Sequence, residues 1–202
     1  MQKKSFLRIY RMALIGILSA VAAVLMLLEF PISFLAPPFY EMDFSEIPII
    51  IGAFALGPVE GVIMEALKIV LNLLFNGTIT AGIGELANFL IGVSYVLPAA
   101  IFYRIRKTKK VATVGLVIST VLVVVVSAFL NAFVLIPFYA HGGSIQAFID
   151  MGNKVNGHVT DLFSFTLLCV VPFNLLKFVT DTVVTLLVYK KVSRILKNPM
   201  ER

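Results

Sequence analysis

Six transmembrane helices, with both ends of the chain in the cytoplasm, are predicted for this all-α membrane protein by three observations. Hydrophobic residues make up 59% of its 202 residues and charged residues 14%, a balance that a soluble domain of this length does not show, because its surface must be covered with charge. The apolar residues fall in long, nearly uncharged runs. All of the 17 Lys and Arg residues except Lys68, Lys154 and Lys177 lie in three short blocks at the ends of those runs, where they read as cytoplasmic topology signals. A net charge of +6 distributed in this way points to a membrane and not to nucleic acid. If the three blocks share one side, an even number of crossings separates each from the next. Four and then two satisfy this, giving one integral membrane domain over 1–202 with spans at about 8–30, 47–57, 58–75, 85–103, 112–139 and 162–189.

The first run follows the block Lys3, Lys4, Arg8, Arg11. A basic start followed by an apolar run resembles a signal peptide, but the run continues past its small residues and is long enough to span. Gly16 and Ala20 form one small-xxx-small pair, and Ser19 and Ala23 a second. Such pairs suit close helix packing, within the chain or against a partner membrane protein. Residues 31–46 then break the pattern with Pro31, Pro37 and Pro38, followed by aromatic and acidic residues. The prolines deny a regular helix there, and the apolar character suggests a lid over a site.

Gly57-Pro58 splits the next apolar stretch in two. Counting two short helices, and not one, is what the charge parity requires. The second piece carries Glu65, Lys68 and Asn72 at i, i+3, i+7, which a helix places on one face. The Gly-rich segment 76–84 is an external loop. Glu85, Asn88 and Gly92 open the following helix with the same spacing, where Glu85 also complements the helix dipole. After the central block Arg104, Arg106, Lys107, Lys109, Lys110 comes the most apolar run, interrupted by Ser127 and Asn131. Residues 141–161 are polar and glycine-bearing and read as a long external loop, with His141 and His158 as solvated loop histidines. The last span carries Asn174, Lys177 and Asp181, again at i, i+3, i+7, before the closing block Lys190, Lys191, Arg194, Lys197, with Arg202 at its end.

Charged groups at membrane depth are costly and mark candidate sites. The plain reading of Lys177 is a pair with Asp181 one turn on; it leaves Asn174 unexplained. The sequence has no His-Glu-x-x-His, no Walker loop, no nucleophile motif and no Cys/His cluster, and Cys169 reads as packing. An enzyme is therefore not expected. Polar groups on several helices beneath apolar loops suit a pocket for a small amphipathic solute, or alternatively a scaffold whose polar stripes only hold helices together.

Four stretches carry a resemblance: Glu46-Ile-Pro through Gly57-Pro58-x-x-Gly61; Lys68-x-x-x-Asn72-Leu-Leu-Phe; Gly77-Thr through Gly84-Glu85-Leu-Ala-Asn88-Phe; and Pro172-Phe-Asn174-Leu-Leu-Lys177. In this order they resemble the substrate-binding S components of energy-coupling factor (ECF) vitamin transporters, most of all the riboflavin-specific one. The resemblance implies a six-helix protein of the prokaryotic plasma membrane. It also implies riboflavin as transported ligand with no cofactor, and a complex with a transmembrane coupling protein and two cytoplasmic ATPase subunits. Flavin mononucleotide or another vitamin is the alternative ligand. Carried over by position, Asn131, Asn174 and Lys177 bind the ligand. Glu85, Asn88, Lys68 and Asn72 join them or build a supporting network, and Met42 and Asp43 cover the ring. Gly16, Ala20 and Ala23 match the family's docking positions for the coupling protein, although the family's usual small residue there is alanine.

Overall fold

The computed structural model describes residues 2–140 and 144–196. His141 and Lys197, read above as a loop histidine and part of the last basic block, lie outside them. The described chain is all-α apart from one two-residue β ladder. α1 is Gln2–Leu27, α2 Glu46–Leu56, α3 Pro58–Asn76 and α4 Ile83–Ile105. α5 runs Lys109–Tyr139 with a π turn at Asn131–Leu135, and α6 is Ile145–Val155. α7 begins at Leu162–Phe165, passes through a π turn at Thr166–Val170 and continues as Val171–Leu196. α1, α4, α5 and α7 contain stretches long and apolar enough to cross a membrane.

α2 sits at the centre and packs on α1, α3, α4 and α7. Beyond Glu46 it is apolar all round, and Ile49, Ile50, Ile51, Ala53 and Phe54 are all buried, as expected of a helix enclosed by others. Gly57 ends it at φ 136, a conformation glycine adopts without a Cβ penalty. Pro58 then opens α3, where a missing N–H costs nothing. The predicted break therefore stands, and its physical cause is this Gly-Pro pair. Gly61 lets α3 close onto α2 and α4: a Cβ there would lie 2.8 Å from the Ala53 side chain and 2.9 Å from Val96.

Three sequence expectations need correction. The first helix ends at Leu27, before position 30, because Phe30 and Pro31 pair antiparallel with Met42 and Glu41. Residues 141–161 are not one long loop, since α6 lies within them. Ser144 caps it by accepting from the Gln146 N–H, and its apolar face packs through Ile149 onto Val159 and Phe165. Gly152 meets the Phe165 ring so closely that a Cβ would lie 2.5 Å away; composition had hidden this amphipathic helix behind glycines that serve packing. The first helix also divides its small residues. Ser19 and Ala23 are buried at 1% and 2%, while Gly16 and Ala20 face outward. Ala23 is thus committed to internal packing and is not presented to a partner.

Two apolar clusters result. One fills the bundle around Tyr95, Val96, Leu116 and Phe178. The other lies under the segment 28–45 and joins Ala36 and Met42 to Ile136, Val159, Phe165 and Phe173.

A roofed polar cavity at one end of the bundle

A cavity of about 330 Å³ opens at the end of the bundle covered by residues 28–45. It is lined by the C-terminal part of α3, the start of α4, the π-turn region of α5 and the first turns of α7 below the π turn. Asn131, Asn174, Lys177, Glu85, Asn88, Lys68, Asn72 and Asp43 all line it. Met42 does not; it points into the apolar cluster beneath the roof, because strand alternation turns it away from the face that Glu41 and Asp43 share. Sequence reasoning missed Glu29, Phe39, Tyr40, Glu46, Thr80, Tyr139 and Phe173, which also line the cavity. The aromatic richness of 39–44 was the available signal for the first ring pair. Glu46 is a lone acid at a helix start and gave none.

The roof is tied down by two long-range polar contacts. Lys177 Nζ donates to Asp43 Oδ2 at 2.7 Å across 134 positions of sequence. This replaces the expected Lys177–Asp181 pair. The other carboxylate oxygen, Asp43 Oδ1, accepts from the Ser45 N–H at 2.7 Å. The second tie is Tyr40, whose hydroxyl donates to Asn131 Oδ1 at 2.6 Å, its ring lying between Phe39, Phe165 and Phe173. Burial drives the Tyr40 phenol well above its usual range, so it remains a neutral donor. Tyr40→Phe leaves Asn131 Oδ1 buried without its donor. We expect a loss of about 1–2 kcal/mol, measured as a lower thermal midpoint in detergent.

Asn131 and Asn174 use their amides alike. Each donates one N–H to a carbonyl of its own helix, Ser127 O at 2.8 Å and Val170 O at 2.9 Å. Each keeps a second N–H for another acceptor. Asn131 opens one π turn and Asn174 follows the other by one helical turn, and the two π turns meet across the α5–α7 contact. Such turns re-aim side chains and recur at functional sites.

Below the cavity floor Lys68 Nζ lies 2.6 Å from Glu46 Oε1 and 2.6 Å from Glu65 Oε1, the three side chains being 3%, 6% and 0% exposed. Gly92 makes room for them: a Cβ there would collide with the Glu65 carboxylate. This is why a glycine completes the polar spacing of α4. Among the described residues Asn72 Nδ2 and Glu46 Oε2 are buried without a hydrogen-bond partner, and both residues line the cavity. At the rim Glu85 accepts from Thr80 Oγ1 at 2.8 Å, Asn88 is exposed, and Ile79 stands fully free.

The roof also carries a carboxylate pair. Burial, then the charges of Glu41 and Asp43, push the Glu29 carboxyl from its ordinary 4.5 up to about 7, against the pull of Lys177. The seated roof therefore binds this proton more tightly than a free one does. Its seating is strongest below pH 4.5 and weakens as pH rises to 7. After discounting for exposure the change is about 1 kcal/mol. Protease protection of residues 29–45 across that range should follow this slope in the native chain and lose it in Glu29→Gln.

Residues 10–189 match the family described as ECF transporter, substrate-specific component. The chain belongs to that family. This S component is 35% identical over 187 residues to the riboflavin transporter RibU of Staphylococcus aureus, covering 93% of this chain and 92% of that protein. It is 29% identical over 187 residues to the riboflavin transporter FmnP of Bacillus subtilis, covering 92% and 93%. A solved structure described as the S component of a bacterial ECF transporter superposes with a TM-score of 0.72 at 33% identity, over 98% of this chain and 100% of that one. The S component is a multi-pass membrane protein and a transporter's substrate-binding part, not an enzyme. Its roofed cavity, lined by convergent polar groups from four helices and the roof together with aromatic side chains, fits that role.

Proposed function

We propose that this S component binds riboflavin in the roofed cavity and delivers it across the membrane together with a transmembrane coupling protein and two cytoplasmic ATPases. In this reading the chain is a single membrane domain of six crossing helices, with both termini cytoplasmic and the cavity facing outside. α2 reaches only about 16 Å at 1.5 Å per residue, short of the ~30 Å hydrocarbon core. The buried segment 42–45 descends to meet it, and irregular backbone at that depth is tolerable where it lines a cavity. Gly16 and Ala20, exposed on α1, are the docking positions for the coupling protein.

The charge of the lining carries the choice of ligand. Lys68 and Lys177 face Glu29, Glu41, Asp43, Glu46 and Glu85. A phosphate would meet more negative than positive charge, so uncharged riboflavin is favoured over flavin mononucleotide. Both curated relatives described above are named riboflavin transporters. Asn131, Asn174 and Lys177 supply donors to the flavin carbonyls. Phe39, Tyr40, Tyr139 and Phe173 wall the ring, and Asn72, Thr80, Glu85 and Asn88 suit the ribityl hydroxyls. The test is the visible spectrum of the purified protein, with mass analysis of what denaturation releases. Yellow protein yielding riboflavin supports the reading; a different released vitamin refutes it.

A further inference from the structure

Asp181 is fully buried on α7, and among the described residues neither of its carboxylate oxygens has a hydrogen-bond partner. It stands one turn beyond Lys177, on the same face, yet that ammonium is given to Asp43 of the roof. The other groups facing it are Tyr95 of α4, Glu46 of α2, Asp43 of the roof and Lys68 of α3. None neutralises it. Lys68 is held by Glu46 and Glu65, and the Tyr95 hydroxyl is engaged with Thr182 Oγ1 at 2.8 Å. Four buried carboxylates, Asp43, Glu46, Glu65 and Asp181, thus share two ammonium groups. An ionised carboxylate in such a place would be neither paired nor solvated, which is too costly to persist.

We propose that Asp181 is a proton-binding site, holding a proton while the roof is seated and releasing it when Asp43 leaves Lys177. With the roof lifted, Lys177 would be a buried ammonium with no counter-charge. Asp181 is within one helical turn of it and becomes its partner by losing the proton to water entering the opened cavity. Lys177 keeps its charge throughout; only the O–H bond of Asp181 breaks. Roof opening is thereby linked to proton release, and the proton-holding role of Asp181 is independent of which ligand the cavity takes.

The test is infrared spectroscopy of the ligand-free protein carrying 13C-labelled aspartate, which separates aspartic from glutamic acid bands. The wild type should show a protonated aspartic carbonyl stretch that shifts in D2O. Asp181→Asn should remove it. Asp43→Asn should remove most of it as well, because Lys177 is then free to pair with an ionised Asp181. Absence of the band in the wild type, its persistence in Asp181→Asn, or its full survival in Asp43→Asn would each overturn the proposal.

Discussion

Lys68→Met should be the most damaging single substitution in this protein, lowering its stability by about 3–5 kcal/mol. Lys68 is 2% exposed and the ammonium that Glu46 and Glu65 share, bringing α2 and α3 together on the face that α4 opens with Gly92. Methionine keeps the length and apolar stem but leaves two carboxylates side by side in the interior. Both must then take up protons or repel. The cost arises from the stranded partners and not from the lost attraction, so it should be reversible. Adding Glu46→Gln and Glu65→Gln to Lys68→Met should recover most of the thermal midpoint in detergent. If the triple variant is as unstable as the single one, Lys68 acts through packing and not through charge.

Lys177→Met should weaken riboflavin binding by about 1.5–3 kcal/mol, roughly 10- to 150-fold in Kd, the range for hydrogen bonds to charged groups. Lys177 has two tasks. It seats the roof through Asp43 at 2.7 Å, and it presents its remaining N–H groups to the cavity. Asp43→Asn removes the first task and keeps the ammonium in the site. The two variants should therefore separate kinetically: Asp43→Asn mainly speeds release, whereas Lys177→Met also lowers affinity when release rates are matched. Stopped-flow fluorescence of riboflavin with the two purified variants distinguishes them, and identical affinities in Lys177→Met and the native chain would remove Lys177 from the binding set.

Much of the framework could be read from residue order. The i, i+3, i+7 spacings gathered Lys68, Asn72, Glu85, Asn88, Asn174 and Lys177 because a helix converts spacing into a shared face, and the structure turns these faces to one cavity. The Gly57-Pro58 break was legible because each residue is tied to one backbone task. The polar pairing was not legible. Within one helix Asp181 is the obvious partner of Lys177, and only the return of the roof over the bundle substitutes Asp43. Tyr40 and Glu46 were missed for the same reason: their partners, Asn131 and Lys68, are distant in sequence. Met42 was misassigned because the ladder with Phe30 that sets its direction has only two residues per strand, too few for a visible alternation. The π turns beside Asn131 and Asn174 have no composition of their own.

Titration of the ligand-free purified protein with riboflavin, followed by quenching of flavin fluorescence and repeated with flavin mononucleotide, tests the central claim most directly. Saturation at one riboflavin per chain is expected, with weaker binding of the phosphorylated flavin and a loss of riboflavin affinity in Asn174→Ala and Lys177→Met. Absence of quenching by riboflavin, or tighter binding of flavin mononucleotide in a cavity with this excess of carboxylates, would contradict it.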